Sequence, residues 1–237
     1  MHPHRSAPPT AVLVHGAFAD TSIWAEVGRL LRSAGLAVRT PAVPLRGLAQ
    51  DAAHVRAVVR DLDGPVVLVG HDYSGAVISQ ASVGTDHIVA LCYVAGFGLD
   101  DGECVLDVMD RFAPAPVAAA GFTAAASAFG ELRLDDEEFA RLYAAGLPPG
   151  QVAALSAAQR PIARAALTDR SGPPAWAAQP CWYAVTGADR IVHPTAQRFM
   201  AQRMAATEHL VDASHAVARS HPSAVAAMIQ EAAGQRE

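Results

Sequence analysis

A tight turn, Gly70-His71-Asp72-Tyr73-Ser74-Gly75, carries the side chain with the clearest chemical potential in this sequence. It follows the apolar run Val66-Val67-Leu68-Val69, which is typical of a strand buried in a parallel sheet. Small residues stand two positions before and two after Asp72, the spacing of a nucleophile elbow. The usual residue at the centre of such a turn is serine. The sequence therefore predicts a carboxylate, rather than a hydroxyl, raised above the sheet.

Two further residues could work with Asp72. Asp189 follows the penultimate predicted strand, and His215 follows the last one. The carboxyl ends of parallel strands share one edge of a sheet, so we expect the three side chains to meet there. The order nucleophile, acid, histidine predicts that Asp189 orients His215 as a base. Asp100 and Asp101 also follow a strand and are an alternative source of the orienting acid.

Strands that alternate with helices are predicted to position these residues, as in right-handed βαβ units. Predicted strands cover residues 11–14, 36–39, 66–69, 88–95, 181–185 and 209–211. Predicted helices begin after Thr21-Ser22 and cover residues 48–62, 74–83, 195–204 and 216–233. The fold class is thus α/β, with a mostly parallel, doubly wound sheet.

The alternation fails between about Asp100 and Pro180. That segment has alanine-rich helical pieces, scattered prolines and no convincing strand. We expect residues 1–100 and 177–237 to form one core and residues 101–176 a helical cap over the carboxyl edge of the sheet. The first ten residues are predicted to be a flexible tail.

The composition is that of a globular protein. Of 237 residues, 51% are hydrophobic and 17% charged, and the net charge is -5, which favours neither nucleic acid nor a membrane as a partner. Lysine is missing from the sequence, which excludes Schiff-base lysine and P-loop chemistry. Three cysteines without metal spacing predict reduced thiols and a cytoplasmic location. No motif predicts a cofactor or a metal site.

The sequence resembles the α/β-hydrolase superfamily over nearly its whole length. The similarity is carried by Val12 to Phe18, Gly70 to Val77, Gln159-Arg160-Pro161 and the region from Ala188 through Val217. It is closest to small bacterial hydrolases similar to plant methyl-ester esterases and hydroxynitrile lyases. Those proteins typically have Gly-His-Ser-Tyr-Gly-Gly at the turn, whereas an aspartate is what epoxide hydrolases and haloalkane dehalogenases have there. The resemblance implies an α/β-hydrolase fold with an inserted helical cap, and an oxyanion hole formed by the backbone N–H groups of Ala17 and Tyr73. We expect those amides to hold Asp72 ionised at neutral pH.

The physical chemistry of a carboxylate nucleophile favours an alkyl substrate. Attack of Asp72 on an acyl carbon would give a mixed anhydride, whereas attack on an sp³ carbon with a strained leaving group gives an alkyl ester. Water activated by His215 could then hydrolyse that ester. The sequence therefore predicts an epoxide hydrolase-like enzyme with a small, apolar organic substrate.

Three aromatic residues are assigned to the substrate pocket: Phe18, Tyr143 and Trp176. Resemblance to epoxide hydrolases implies that Tyr143 donates a proton to the opened ring, although its helical spacing with Phe139 and Leu142 also fits plain packing in the cap. Trp176 could bind a ligand through its indole N–H or fill the hinge of the cap.

Several alternatives stay open on sequence alone. One is a haloalkane dehalogenase, which the tyrosine after Asp72 disfavours because those enzymes generally have tryptophan there. Another is a lyase or cyclase that uses Asp72 and His215 as acid and base. A third is a ligand-binding pseudoenzyme that has lost its nucleophile. A homodimer is possible.

Overall fold

Six parallel strands form the central sheet of this protein, whose computed structural model describes residues 9–112, 123–124 and 130–234. The strands described are β1 (Thr10–Val14), β2 (Ala37–Arg39), β3 (Val66–His71), β4 (Ile88–Val94), β5 (Thr123–Ala124), β6 (Glu131–Arg133), β7 (Ile162–Ala163), β8 (Cys181–Thr186) and β9 (Thr207–Val211). The central sheet has the order β2-β1-β3-β4-β8-β9, and every pair in it is parallel. The predicted fold class is confirmed.

Helices flank the sheet. They are α1 (Ala25–Ser33), α2 (Leu48–Arg60), α3 (Ser74–Ser82), α4 (Val105–Arg111), α5 (Asp136–Glu138), α6 (Pro149–Ala157), α7 (Arg164–Thr168), α8 (Pro194–Arg203), α9 (Val217–Ser220) and α10 (Pro222–Ala232). Shorter turns of 3-10 helix span Thr21–Trp24 and Ala175–Ala177. Among the described residues, no helix is both long and apolar enough to cross a membrane.

The central strands are apolar because both of their faces are covered. All six residues of β3 are buried, as are the last four of β1. Such strands read as continuous apolar runs rather than as alternating patterns, which is why the sequence identified them. The three cysteines are also buried and form no disulfide, as predicted.

The strand order reverses between β1 and β3. The chain passes from β1 outward to β2, and then returns past β1 to continue through β3, β4, β8 and β9. At such a switch point the loops after the two neighbouring strands diverge and leave a crevice at their carboxyl ends. The topology therefore brings the loop after β1 beside the turn after β3, which is the turn that contains Asp72.

The connection between β4 and β8, residues 95–180, differs from the prediction. Two-residue β5 and β7 and three-residue β6 form a small antiparallel sheet, so the expectation of no strand there was wrong. A π-helix, Phe139–Tyr143, continues directly from α5. Two- and three-residue strands carry no readable periodicity, because only pairing with distant partners defines them.

Three smaller predictions need correction. The helix predicted over residues 216–233 is divided into α9 and α10, because Pro222 cannot donate a backbone hydrogen bond within a continuous helix. The helical structure predicted to begin after Thr21-Ser22 begins at Thr21, because the Asp20 side chain caps that turn by accepting the Ser22 N–H. The predicted tail falls largely outside the described residues, and Thr10 already belongs to β1.

Candidate active site

Asp72 lies at the end of β3 in a strained conformation. Its φ is 52°, in the left-handed region that non-glycine residues rarely adopt, and its side chain is buried. Oδ2 of Asp72 accepts the backbone N–H of Ala17 at 2.9 Å. Strained turns of this kind persist where surrounding structure fixes them, and here the turn aims the carboxylate at the crevice above the sheet.

Close backbone approaches hold this turn. A Cβ on Gly16 would lie 2.5 Å from the Asp72 Cβ, and one on Gly70 would lie 2.4 Å from the Ser74 carbonyl oxygen. Ser74 itself donates its hydroxyl to the His15 carbonyl oxygen at 2.5 Å. Because that hydroxyl is bonded within the turn, Ser74 is not a candidate nucleophile in place of Asp72.

Asp189 is fixed by four hydrogen bonds in the turn after β8. Its Oδ1 accepts the backbone N–H groups of Ile191 at 2.8 Å and Val192 at 3.0 Å. Its Oδ2 accepts the Thr186 hydroxyl at 2.7 Å and the Gln197 amide at 2.9 Å. Burial opposes ionisation, but His215 and these donors hold the pKa of Asp189 below its usual range.

His215 lies between the two carboxylates. Its Nδ1 is 2.8 Å from Oδ2 of Asp189, so Nδ1 carries the proton that this carboxylate accepts. Its Nε2 is 3.7 Å from Oδ1 of Asp72 and forms no hydrogen bond within the described residues. That separation is too long for a hydrogen bond, which leaves Nε2 available to a third atom beside Asp72.

The charges of this trio are coupled. Burial raises the pKa of Asp72 above its ordinary value, while His215 and the backbone N–H groups of Tyr73 and Ala17 act in the opposite direction. The expected effect of the two amides is therefore right in direction, but burial outweighs it. Burial also disfavours the imidazolium of His215, yet Asp189 and Asp72 outweigh that cost and raise the pKa of His215.

An apolar cavity of about 20 Å³ opens onto Asp72. Its walls are the residues Ala17, Phe18, Phe97, Val105, Met109, Leu167 and Ile191, with Asp72 as its polar group. Phe18, assigned to the pocket from sequence, lies in this wall. Tyr143 and Trp176 do not line it, and the Trp176 indole N–H donates to the Leu99 carbonyl oxygen at 2.9 Å. The indole is therefore engaged in the protein, which fits the hinge alternative for Trp176.

Tyr143 lies next to His215. Their rings are 4.9 Å apart in an edge-on arrangement, and the Tyr143 carbonyl oxygen accepts the Ala216 N–H at 3.0 Å. The Tyr143 hydroxyl is buried and has no hydrogen-bond partner within the described part of the chain. Its ring also stacks on Phe139 at 4.7 Å. Tyr143 therefore packs against Phe139, as its helical spacing suggested, and also lies beside His215.

The other histidines hold loops in place. His15 Nε2 accepts the Val43 N–H at 3.0 Å, and His71 Nε2 donates to the His215 carbonyl oxygen at 3.0 Å. Burial lowers the pKa of His71 to about 3, so its ring stays neutral. His193 caps the start of α8, where its Nδ1 accepts the Thr195 N–H.

Asp100 and Asp101 are exposed at the surface, whereas Asp189 contacts the histidine. The alternative acid is therefore excluded by position. Within the described residues, no cluster of three or more histidine, cysteine, aspartate or glutamate side chains could hold a metal ion.

Sequence reasoning missed Gln197, Thr186 and Asp51. Gln197 is fully buried on α8 and bonds both Thr186 and Asp189. Asp51 is equally buried and accepts the Tyr73 hydroxyl at 2.8 Å. A glutamine or an aspartate on a predicted helix is most often at the surface, so only the fold could reveal these partners.

Comparisons with known proteins agree with this architecture. The model of the "Alpha/beta hydrolase family" matches residues 11–228. No curated protein sequence matches the chain at a significant level. A pyrethroid hydrolase from Sphingobium faniae has a similar structure, with 20% identity and a TM-score of 0.80 over 95% of this chain and 97% of that one.

Two further solved structures are similar to this chain. An extracellular alpha/beta-hydrolase from a Paenibacillus species is 21% identical, with a TM-score of 0.80 over 95% of this chain and 99% of that one. Polyneuridine aldehyde esterase is 15% identical, with a TM-score of 0.81 over 94% and 98%. At these identities the likeness establishes the fold.

Proposed function

The chain belongs to the alpha/beta hydrolase family, and on that premise we propose that it opens a small epoxide through an alkyl ester on Asp72. The observation that carries the proposal is the geometry of the elbow. A carboxylate occupies the strained turn with one oxygen held by the Ala17 N–H and the other facing His215. Asp189 in turn supports His215.

The two oxygens of Asp72 have different roles in this proposal. Oδ2 accepts the Ala17 N–H at 2.9 Å. Oδ1 is 3.7 Å from the His215 imidazole and is hydrogen-bonded neither to that ring nor to the Ala17 N–H. Oδ1 is therefore the attacking atom. It forms a bond to one ring carbon of the epoxide as the bond from that carbon to the ring oxygen breaks. Oδ2 then becomes the carbonyl oxygen of the ester, already in place at the oxyanion donors.

Ring opening produces an alkoxide that needs a proton. Tyr143 is a suitable donor because its hydroxyl is buried, without a hydrogen-bond partner in the described residues, and on a ring that contacts His215. Burial raises the pKa of Tyr143 well above its ordinary value, so the phenol keeps its proton until a strong base such as an alkoxide forms beside it.

Hydrolysis of the ester uses His215. Esterification removes the negative charge of Asp72, which is one of the causes of the raised pKa of His215. The histidine thereby becomes easier to deprotonate at the stage when a base is needed. Its Nε2 takes a proton from water as the water oxygen attacks the Asp72 Cγ, and the bond from Cγ to Oδ1 then breaks to release the diol. The proton on His215 passes to the departing oxygen. The second proton of the water stays on the re-formed Asp72 carboxyl group and is lost to solvent as Tyr143 regains its own proton, which restores the starting state.

An alkyl carbon is a better electrophile here than an acyl carbon. Some similar structures are named esterases, but attack by Asp72 on an ester would create a mixed anhydride of similar or higher reactivity. The cavity above Asp72 is lined by apolar side chains, which supports an apolar substrate; at about 20 Å³ it has room for about one water molecule, so the proposal requires its walls to move apart when the substrate binds.

The source of the new oxygen tests the covalent route. Epoxides of graded size are first screened by diol detection, with haloalkanes in parallel. A single turnover in ¹⁸O-water, with enzyme in excess, should place the label in the Asp72 peptide and leave the diol unlabelled, because the first diol receives Oδ1. His215→Gln should accumulate Asp72 carrying the mass of the intact substrate, whereas His221→Gln, at an exposed histidine, should turn over normally.

Each other mechanism gives a different result. Label in the diol and none in Asp72 would mean that water attacks the substrate directly and that Asp72 is a base. Halide release without diol formation from any epoxide would favour a dehalogenase. A ligand that binds equally well to the parent protein and to His215→Gln, with no chemistry in either, would favour a binding protein.

A further inference from the structure

Asp51 is a buried carboxylate that the proposed chemistry does not use. It lies in the first turn of α2 and is fully buried. Its Oδ2 accepts the Tyr73 hydroxyl at 2.8 Å and the Arg46 N–H at 3.1 Å. A buried carboxylate is costly unless its hydrogen bonds are satisfied, so these contacts need a reason beyond chance placement.

Tyr73 connects this carboxylate to the elbow. It directly follows Asp72, and its side chain is 1% exposed. Its backbone N–H is one of the two amides that stabilise the Asp72 carboxylate, while its hydroxyl bonds Asp51. The bond from the Tyr73 hydroxyl to Asp51 thus holds Tyr73 in place, and with it the Tyr73 amide beside the Asp72 carboxyl group.

The loop that precedes Asp51 also holds the second oxyanion donor. The Val43 N–H donates to His15 Nε2, and the His15 ring Nδ1 is 3.0 Å from the Gly16 carbonyl oxygen, one residue before Ala17. Both donor groups are therefore attached to the same stretch of chain, residues 43–51.

The β4–β8 connection is bound to that same stretch. The Ala163 N–H donates to the Leu45 carbonyl oxygen at 2.9 Å, and the Leu48 N–H donates to Asp169 at 2.9 Å. Arg46 forms an ion pair with Glu131. The stretch 43–51 is accordingly in contact with the elbow, the loop after β1 and the connection that carries Tyr143.

We propose that Asp51 is a positioning residue of the active site, which acts through the Tyr73 hydroxyl to set the Tyr73 and Ala17 amides at the Asp72 carboxyl group. The inference deepens the proposed function, since it assigns Asp51 a part in holding the oxyanion that forms on Asp72. A purely structural role would require only that Asp51 satisfy the start of α2. The positioning role requires that loss of the Tyr73 hydroxyl change the contacts between the Asp72 carboxyl group and the Tyr73 and Ala17 amides.

Tyr73→Phe removes that hydroxyl alone, and Tyr93→Phe is its matched control. The Tyr93 hydroxyl is also fully buried, and its partner is the Ser79 hydroxyl at 2.7 Å rather than Asp51. Both variants lose one buried hydrogen bond, so both should lose comparable stability. In Tyr73→Phe alone, the amide proton resonances of Ala17 and residue 73 should move upfield, because the Ala17 N–H bond to Oδ2 of Asp72 weakens and the amide of residue 73 moves away from the Asp72 carboxyl group. Turnover should fall by about tenfold or more with KM little changed.

Asp51→Asn is the second variant, because it keeps an acceptor for the Tyr73 hydroxyl and should retain most of the effect of the native residue. If Tyr73→Phe does not fold, the comparison of Asp51→Asn with Asp51→Ser gives the same readouts. Amide shifts and turnover in Tyr73→Phe that match those in Tyr93→Phe would overturn the positioning role. The amide shifts need no substrate. Failure of the parent protein to open any epoxide would therefore count against the proposed function and not against this inference.

Discussion

Two carboxylates share one imidazole in the candidate site, and the proposed chemistry depends on how they do so. Asp189 is 2.8 Å from His215 and fully hydrogen-bonded, so it acts as a fixed negative charge. Asp72 is 3.7 Å away on the other side, close enough to stabilise the imidazolium but too far to bind its proton. The protonation state of His215 should therefore report directly on the charge of Asp72.

Asp72→Asn should lower the pKa of His215. Burial already disfavours the imidazolium, and the variant removes one of the two negative charges that outweigh burial. An imidazole NMR titration with labelled histidine measures the change without any substrate. Asp61→Asn, at an exposed position that ends α2, should leave the titration of His215 unchanged.

An unchanged or higher pKa of His215 in Asp72→Asn would show that the two side chains are not electrostatically coupled. The proposed shift in the basicity of His215 on ester formation would then be wrong.

At the scale of elements, the site depends on the close approach of two backbone segments, the loop after β1 and the turn after β3. The loop after β1 must bring the Ala17 N–H to the carboxylate that follows β3, and Gly16 permits this approach. A Cβ there would lie 2.5 Å from the Asp72 Cβ and 2.7 Å from the His71 carbonyl oxygen. Neither group can move without displacing the elbow.

Gly16→Ala should therefore damage activity more than stability. Overpacking of this kind costs about 1–3 kcal/mol in free energy of unfolding, and turnover should fall by about 100-fold because the Ala17 amide is displaced. Denaturant unfolding and steady-state kinetics measure the two effects. In Gly150→Ala, at the start of α6, a Cβ meets nothing within 4 Å, and stability should be equal or slightly higher. Full turnover in Gly16→Ala would mean that the Ala17 amide is dispensable.

At the scale of the whole molecule, the sheet determines where the site can be. Asp72, His215 and Asp189 follow β3, β9 and β8, and the parallel arrangement places all three turns at one edge. The reversal of strand order at β1 and β3 adds the Ala17 loop to the same edge. The site therefore requires the central strands to be intact.

Leu68→Ala tests that requirement. Leu68 lies in the middle of β3 and is fully buried, so the loss of contacts and the cavity left behind should cost about 2–5 kcal/mol. Leu210→Ala makes the same chemical change on β9, where the side chain is 66% exposed, and should cost less than about 0.5 kcal/mol. Midpoints of denaturant unfolding measure both. Equal costs would mean that β3 is not the packed centre of the molecule.

The sequence by itself predicted the six strands of the central sheet, the elbow, and the three candidate residues Asp72, Asp189 and His215. Each of these depends on local features: an apolar run buried on both faces, a turn with small residues around Asp72, and polar residues that follow strands. Such features are readable because backbone geometry and burial act over a few neighbouring residues. The alpha/beta hydrolase architecture followed from their order along the chain.

Only the tertiary structure decided which residues support the site. The pairing of β5, β6 and β7, the place of Tyr143 beside His215, and the bonds of Gln197 and Asp51 all join segments that are distant in the sequence. The engagement of the Trp176 indole by Leu99 is of the same kind. Hydrogen bonds and ring contacts act over a few ångströms, so their partners are fixed by the packing of the whole chain and leave no periodic trace in the sequence. The role proposed for Asp72 depends on both levels, since the turn aims the carboxyl group at the crevice and the surrounding packing sets its pKa.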